Sequence, residues 1–383
     1  MSYFRIKLSV LLCFFLLLIT ACGHSSSHSI DLKDVDADGS EPRIEREFKY
    51  SLIGEALEDF DGPDLPESIR EALDKAVGDP ALWKAPKFTA TSYYSDSEVS
   101  DFAYFDIYFD TEDALCYKNA ISYRLRERFK SMKKYKKYVD DQGDEDLWPY
   151  RIEFQGKVGR EELGEGFSSV YESRFEFRED SDPFSELNPS PLPPWDLDEY
   201  IEYFQAGKFE NYYTWPAKAV VDYLMPDKTD EIELFFEPEL VLITERQRQH
   251  LNIKSSWGSG PNPEQAYIIT IDTSFVYDGP EYVEYLDMKK NGLDVDEPDL
   301  AGQFTEIEIE FERNVSGELD IEIGEATEKG DVEILEYLEQ AREAFLTDQK
   351  MIMQIIKNHF AEKGVEVLPA SKSKYLQAYD VLN

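Results

Sequence analysis

The chain has 383 residues, with 80 Asp and Glu against 40 Lys and Arg, a formal net charge of −40 at pH 7. A polyanion of this kind is repelled from nucleic acid at long range, which excludes that class of partner. With 42% hydrophobic and 14% aromatic residues it is no disordered acidic chain, and four His and three Cys are too few for a structural zinc cluster.

At the amino terminus Arg5 and Lys7 precede an apolar run over 8–19, interrupted only by Ser9. A bilayer span takes about 20 residues, so this shorter run reads as the core of a signal peptide over 1–21. Ile19-Thr20-Ala21-Cys22 resembles the lipobox of bacterial lipoproteins. The resemblance implies diacylation of Cys22, anchorage to the lipid bilayer, and a place in the bacterial cell envelope facing outside the cytoplasm. Residues 22–42 then form an acidic flexible tether. Asp34 to Gly39 with Glu45 satisfies the EF-hand loop expression. Glu41 stands where an apolar residue is usual, Pro42 follows it and no flanking helix is expected, so the segment reads as tether. With Cys13 removed and Cys22 acylated, Cys116 is left as a buried small hydrophobe without a disulfide partner.

Further along, Ile69, Leu73 and Val77 recur at four-residue spacing behind Pro66, which predicts a helix over 66–77. Short alternating segments predict strands at 88–94, 102–109, 122–129, 150–158, 169–177, 232–248, 267–277 and 304–311. A Pro-rich stretch at 189–194 and helices near 196–204 and 217–224 interrupt them. Lys130 to Lys137, with Tyr135 and Tyr138 interleaved, reads as a solvated basic hairpin, and 139–145 and 294–299 as solvated acidic loops. A long amphipathic helix is expected over 331–360, with Ile334, Leu338, Ala341 and Phe345 on one stripe.

The strands carry charge of segregated sign. Residues i, i+2 and i+4 share a face. Glu45, Glu47 and Lys49 therefore project together, as do Arg124, Arg126 and Arg128. The same holds for Arg151, Glu153, Gln155 and Lys157; for Arg174 and Glu176; for Arg246 and Arg248; and for Glu306, Glu308 and Glu310. On any one strand such a face can simply be wet. Gathered inside a closed sheet, the arginines would pair phosphate and the carboxylates would hold hard divalent cations.

In this order the segments resemble the CYTH domain, also called the triphosphate tunnel metalloenzyme fold. Glu45-Arg46-Glu47-Phe48-Lys49 matches its ExExK signature. Tyr108-Phe109-Asp110-Thr111 is similar to its "YFDT", Tyr123-Arg124-Leu125-Arg126 to its RxR strand and Arg246-Gln247-Arg248 to its later basic pair. Ile271-Asp272-Thr273, Glu306-Ile307-Glu308 and Ser373-Lys374-Tyr375 resemble its "LDT", "EIE" and closing segments. Glu153-Phe154-Gln155-Gly156-Lys157 looks like a degraded form of the "LEIKxK" strand of vacuolar transporter chaperone domains, with Gln155 where a cation is expected. The resemblance spans about 43–379.

It implies an α+β fold over 43–383: a closed antiparallel eight-stranded β-barrel, or tunnel, with flanking helices, a helical insertion at about 180–230 and a long C-terminal helix. Its implied activity is metal-dependent hydrolysis of tripolyphosphate or a related triphosphate, with Mg²⁺ or Mn²⁺. Glu45, Glu47 and Lys49 would be catalytic, and Glu47, Glu306 and Glu308 would hold metal. Arg124, Arg126, Lys157 (in place of the missing Lys), Arg174, Arg246 and Arg248 would bind substrate. Two alternatives stay open: a non-catalytic polyphosphate-binding envelope lipoprotein with the same barrel, and a polyphosphate polymerase-like domain.

Overall fold

A computed structural model describes residues 43–54, 57, 67–77, 88–93, 100–142, 144–164, 166–177, 220, 223–224, 236–255, 264–311, 318–370 and 372–383. The expected signal peptide, Cys22, the tether with its EF-hand-like stretch, the Pro-rich stretch, the helix near 196–204 and nearly all of the 180–230 insertion lie outside the described residues. Among the described residues no helix is long and apolar enough to cross a membrane.

The chain is α+β. Its strands are β1 (Arg43–Ile53), β2 (Phe88–Tyr93), β3 (Ser100–Asp110), β4 (Ser122–Phe129), β5 (Arg151–Gly164), β6 (Phe167–Phe177), β7 (Glu237–Ser255), β8 (Glu264–Asp278), β9 (Gly302–Phe311) and β10 (Glu366–Pro369). The helices are α1 (Glu67–Val77), α2 (Leu115–Lys118), α3 (Met132–Asp140), α4 (Gly279–Lys290), α5 (Glu318–Lys329), α6 (Val332–Ala361) and α7 (Lys374–Leu382). Among the described residues these ten strands join one sheet in the order β10-β1-β6-β5-β4-β3-β7-β8-β9, with β2 on β7 and a further pairing of β1 with β9. Every ladder is antiparallel. β1 meets β6 through Arg43 to Phe48 and β9 through Glu47 to Leu52.

Alternation assigns the two faces. Tyr123, Leu125 and Phe129 of β4 join Ile107 of β3 and Ile243 of β7 in one apolar cluster, which α3, α4 and α7 cover. Phe48, Tyr267, Ile269, Ile307 and Ile309 form a second with α1 and α6. Full burial of one such side chain contributes about 1.5–3 kcal/mol, so these two clusters carry the fold. The intervening residues of the same strands, including Arg124, Arg126 and Glu308, are buried on the other face.

Several expectations are corrected. The basic run is no hairpin but α3, capped by Ser131, whose side chain accepts from Lys134 N at 3.2 Å. Met132, Tyr135, Tyr138 and Val139 recur at helical spacing and are buried, while the lysines between them face outward. The stripe of α6 holds at Leu338, which is buried in the second cluster, but not at Ile334, which is 50% exposed; Ile352, Met353, Ile356 and Phe360 continue the buried face. The side chains of Ala341 and Phe345 lie outside the described residues. β5 outruns the expected 158 because Gly159 to Glu162 are polar on both faces and hide the alternation; β7 runs past 248 through Leu251 and Ile253, which alternate with His250, Asn252 and Lys254, and β2 supplies the partner there. Helix α4, with Asp278 as its cap and Pro in its first turn, was not among the expected elements, although Tyr282, Tyr285 and Leu286 recur at helical spacing and are buried.

Glu127 of β4 lies on the apolar side, opposite Phe105 and Ile152 in register. Burial pushes its carboxyl well above the usual range, and its Oε2 has no hydrogen-bond partner among the described residues. An acid whose folded value is raised stabilises fully below its unfolded value and loses that contribution as pH rises. Glu127→Gln is therefore expected to raise the melting temperature at pH 8 and to leave it nearly unchanged at pH 4; thermal unfolding at the two pH values measures this.

Candidate functional site

The polar face borders a cavity of about 240 Å³ lined by ten Lys and Arg and four Glu side chains. The chain as a whole has twice as many acids as bases, so this local excess of cation makes the space a trap for an anion. Asp106, Glu153, Asp272 and Glu306 are buried among the bases with no exposure and draw them into two groups.

The first group sits on β3, β4 and β5. Arg126 and Asp106 are register partners, and the guanidinium forks onto the carboxylate, Nε to Oδ1 at 2.6 Å and Nη2 to Oδ2 at 2.7 Å. Arg124 donates from Nη1 to Tyr108 Oη at 2.6 Å and from Nε to Gln155 Oε1 at 2.9 Å. Gln155 Nε2 in turn donates to Glu153 Oε1 at 2.6 Å, which also accepts from Arg128 Nε at 2.9 Å. An amide at this position both accepts from a guanidinium and donates to a carboxylate. A lysine there would face Arg124 with like charge, which accounts for the departure seen in the sequence.

Tyr104 reports the potential at this end. The guanidinium carbons of Arg126, Arg128 and Arg246 lie 4.4, 5.1 and 5.2 Å from its ring centre. Burial alone would raise its hydroxyl, but Arg246, Arg128, Arg248 and Arg126 outweigh it and hold the hydroxyl below its ordinary value. The field that favours a buried phenolate favours a phosphate equally.

The second group sits on β1, β8, β9 and α7. Lys374 Nζ is 2.7 Å from an oxygen of each of Asp272, Glu306 and Glu308. Lys49 Nζ is 3.1 Å from Glu308 and 3.3 Å from both Glu47 and Glu306. Arg246 donates from Nε to Asp272 Oδ1 at 2.7 Å and from Nη2 to Glu308 Oε2 at 2.9 Å. Burial opposes the charge on Glu308, but Lys374, Lys49 and Arg246 hold its carboxyl well below the usual range. Asp106 and Asp272 are lowered against the same burial penalty, chiefly by Arg126 and by Arg246 respectively.

Two local devices deliver the lysines. Gly166 has φ +82, and a Cβ on it would lie 2.6 Å from Lys49 O. Glycine therefore lets the β5–β6 turn accept the Lys49 N–H at 2.8 Å. Asp110 accepts from the N–H groups of Thr111, Cys116 and Tyr117 at 2.7, 2.8 and 2.9 Å and from the Tyr375 hydroxyl at 2.6 Å. One carboxylate thus closes the α2 turn and docks α7, which sets Lys374 among the acids. Cys116 is fully buried there, and burial first, then Asp110, pushes its thiol up.

The carboxylates come close enough for a cation. One oxygen from each of Glu47, Glu308 and Glu310 lies within 4.8 Å of the others, and the same holds for Asp272, Glu306 and Glu308. Three buried carboxylates offer only hard oxygen donors, the set that suits Mg²⁺ or Mn²⁺. Lys374 touches all three carboxylates of the second trio, and Lys49 touches Glu47 and Glu308 of the first, so a cation in either would share its carboxylates with a lysine.

Of the residues singled out from the sequence, Glu47, Lys49, Arg124, Arg126, Lys157, Arg246, Arg248 and Glu308 border the cavity, and Glu306 is buried beside both lysines. Glu45 and Arg174 occupy strand positions opposite Val170 and Gln155; their side chains, and that of Glu176, lie outside the described residues. Asp106, Asp272, Glu310 and Lys374 were not assigned to the site. Alternation already set Glu310 on the face of Glu306 and Glu308, and could have flagged Asp106, which shares a face with Tyr104 and Tyr108. Asp272 and Lys374 stand in the Ile271-Asp272-Thr273 and Ser373-Lys374-Tyr375 segments, whose resemblance alone gave them no place in the site.

No protein-family model and no curated protein matches the chain. Solved structures are similar to it at low identity. HpAC1 from Hippeastrum, described as a candidate adenylyl cyclase with a dominant triphosphatase activity, is 14% identical over 88% of this chain and 95% of that one, with a TM-score of 0.38. A candidate adenylate cyclase from Bacillus halodurans is 11% identical over 73% and 86%, with a TM-score of 0.32. The Pct1 RNA triphosphatase of S. pombe, in complex with the Spt5 CTD, is 12% identical over 85% and 89%, with a TM-score of 0.30. TM-scores this low carry no weight for the chemistry of this chain, which its own side chains have to supply.

Carboxyls lowered in the fold stabilise fully above their unfolded values, about pH 4, and that stabilisation is lost as pH falls through the lower folded values. Glu308, Asp106 and Asp272 all have this sign. Urea unfolding is therefore expected to show a steep loss of stability below about pH 4. Asp106→Asn is expected to blunt that acid limb and, by leaving Arg126 buried without its counter-charge, to cost about 3–5 kcal/mol at pH 7.

Proposed function

We propose that β1 and β3–β9 close as a tunnel of the CYTH, or triphosphate tunnel metalloenzyme, type, and that the protein hydrolyses inorganic tripolyphosphate or a related triphosphate with Mg²⁺ or Mn²⁺. The observation that supports this reading is the convergence on one cavity of a guanidinium cluster and, beside it, a carboxylate–ammonium cluster. The β1–β9 pairing supports closure.

Arg124, Arg126, Arg128, Arg246 and Arg248 grip the phosphate chain; their bonds to Asp106, Gln155, Glu153 and Asp272 fix the forks in place before substrate arrives. Glu47, Glu308 and Glu310 would hold the divalent cation, which supplies charge neutralisation at the phosphoryl oxygens and orients a water. Lys49 and Lys374 stabilise negative charge gathering on the phosphoryl group and hold the Glu308 carboxyl below its usual range. Catalysis of this kind is positioning and charge stabilisation. The expected outcome is phosphate release from tripolyphosphate that requires Mg²⁺ or Mn²⁺ and falls by about 10²-fold or more in Glu47→Gln. Absence of any metal-dependent release would reject turnover.

A second reading is polyphosphate binding without turnover. It is favoured by the Lys374 ammonium at 2.7 Å from three carboxylates, because that lysine already fills a place a cation could take. Calorimetry joined to the same assay separates the two: a binder keeps affinity for tripolyphosphate while releasing nothing.

We also propose that residues 1–21 are removed and that acylated Cys22 tethers the domain to the outer side of a bacterial membrane. The apolar run and the small residues before Cys22 support this reading. Metabolic labelling with a radioactive fatty acid is expected to mark the full-length protein in a bacterial host and to leave Cys22→Ser unlabelled.

A further inference from the structure

A second cavity, of about 430 Å³, lies on the apolar side of the sheet. Ile243 and Phe275, direct partners in the β7–β8 register, form its floor. Its walls are mainly tyrosines, Tyr277 from β8 and Tyr282 and Tyr285 from α4, and its charged lining side chains are Glu297, Asp140 and Lys136, a net charge of one carboxylate. The Tyr277 and Tyr282 rings are 4.8 Å apart and tilted by 56°, and those of Tyr282 and Tyr285 are 5.4 Å apart at 67°. Three rings at such angles present faces in different directions around one space. The Lys289 ammonium already lies 5.7 Å from the centre of the Tyr285 ring, so this ring accepts a cation in the fold itself.

Glu297 completes the wall. It stands on the exposed acidic loop before β9, which is pinned where the Ala301 N–H donates to Val276 O at 2.9 Å. Its Oε1 accepts from the Tyr282 hydroxyl at 3.0 Å, and that hydroxyl in turn lies 3.1 Å from the Tyr135 hydroxyl. The carboxylate is therefore held over the rings by neutral donors and keeps its charge uncompensated by any ion pair among the described residues. Burial first and Glu297 next push the Tyr285 hydroxyl up to about 12, and the same two causes raise Tyr277. A site that resists a second negative charge is a site for a positive one.

We propose that this cavity binds an organic cation, its ammonium held by Glu297 and the faces of Tyr277, Tyr282 and Tyr285, and its apolar body laid on Ile243 and Phe275. Ring quadrupoles attract an ammonium over their faces, more strongly when it is desolvated, and an apolar pocket with a few fixed polar groups is the common form of a small-molecule site. The site is separate from the arginine-lined cavity and has the opposite preference of charge.

Calorimetric titration of the full chain with benzyltrimethylammonium tests this, with benzyl alcohol as the uncharged probe. One-to-one, saturable binding of the cation is expected, at least about tenfold tighter than the alcohol. Tyr285→Leu and Glu297→Gln are each expected to weaken the cation by about tenfold; Glu297 is on an exposed loop, so its variant keeps the test open if the tyrosine variant misfolds. No saturable binding, equal affinity for the alcohol, or unchanged affinity in Glu297→Gln (adsorption to the acidic surface at large) would overturn the proposal.

Discussion

A guanidinium taken out of water has to find a carboxylate or amide within hydrogen-bonding distance, because the desolvation of an unpaired ion costs several kcal/mol. In this protein the antiparallel ladder meets that demand. Arg126 faces Asp106 across β3–β4, Arg246 faces Asp272 across β7–β8 and Arg124 faces Gln155 across β4–β5, each as direct register partners. Strand register, charge pairing and cavity lining are thus one arrangement. A slip by one residue would turn every arginine into the apolar clusters and every Leu, Ile and Phe into the charged cavity. The ion network need not add much net stability to specify the register strongly.

The apolar clusters sit on the face of the sheet that the helices cover, and the charged side chains on the other. Helices α3 and α4 cover one, and α1 and α6 the other. The chain carries twice as many acids as bases, yet ten bases and four Glu line the cavity. An anion reaching the arginines has to cross a field set against it. The sign of the charge inside, rather than that of the whole chain, decides what the cavity holds.

The C-terminal helix ties these layers together. Asp110, at the end of β3, spends its two oxygens on three N–H groups and the Tyr375 hydroxyl, and the Tyr108 and Tyr375 rings stack at 5.3 Å. The acidic motif after β3 is accordingly a structural clamp, and its effect on the site is indirect: it holds Lys374 where Asp272, Glu306 and Glu308 would otherwise repel one another.

Period-two alternation was legible in the sequence wherever one face was apolar, so the strands carrying Glu47 and Lys49, Arg124 and Arg126, and Glu306 and Glu308 could be read directly. It failed for the end of β5, polar on both faces, and for α3, whose lysines masked the helical spacing of Met132, Tyr135 and Tyr138. Which acid answers which base was not legible, because Arg126 and Asp106 are 20 residues apart, Arg246 and Asp272 are 26 apart, and Lys374 and Glu308 are 66 apart. By itself the sequence determined which side chains share a strand face, since that depends only on backbone geometry over a few residues. The gathering of those faces around one space, the seating of Gln155 between Arg124 and Glu153, and the arrival of Lys374 from the far end of the chain were decided by tertiary structure alone, because contacts between distant segments leave no period in the sequence.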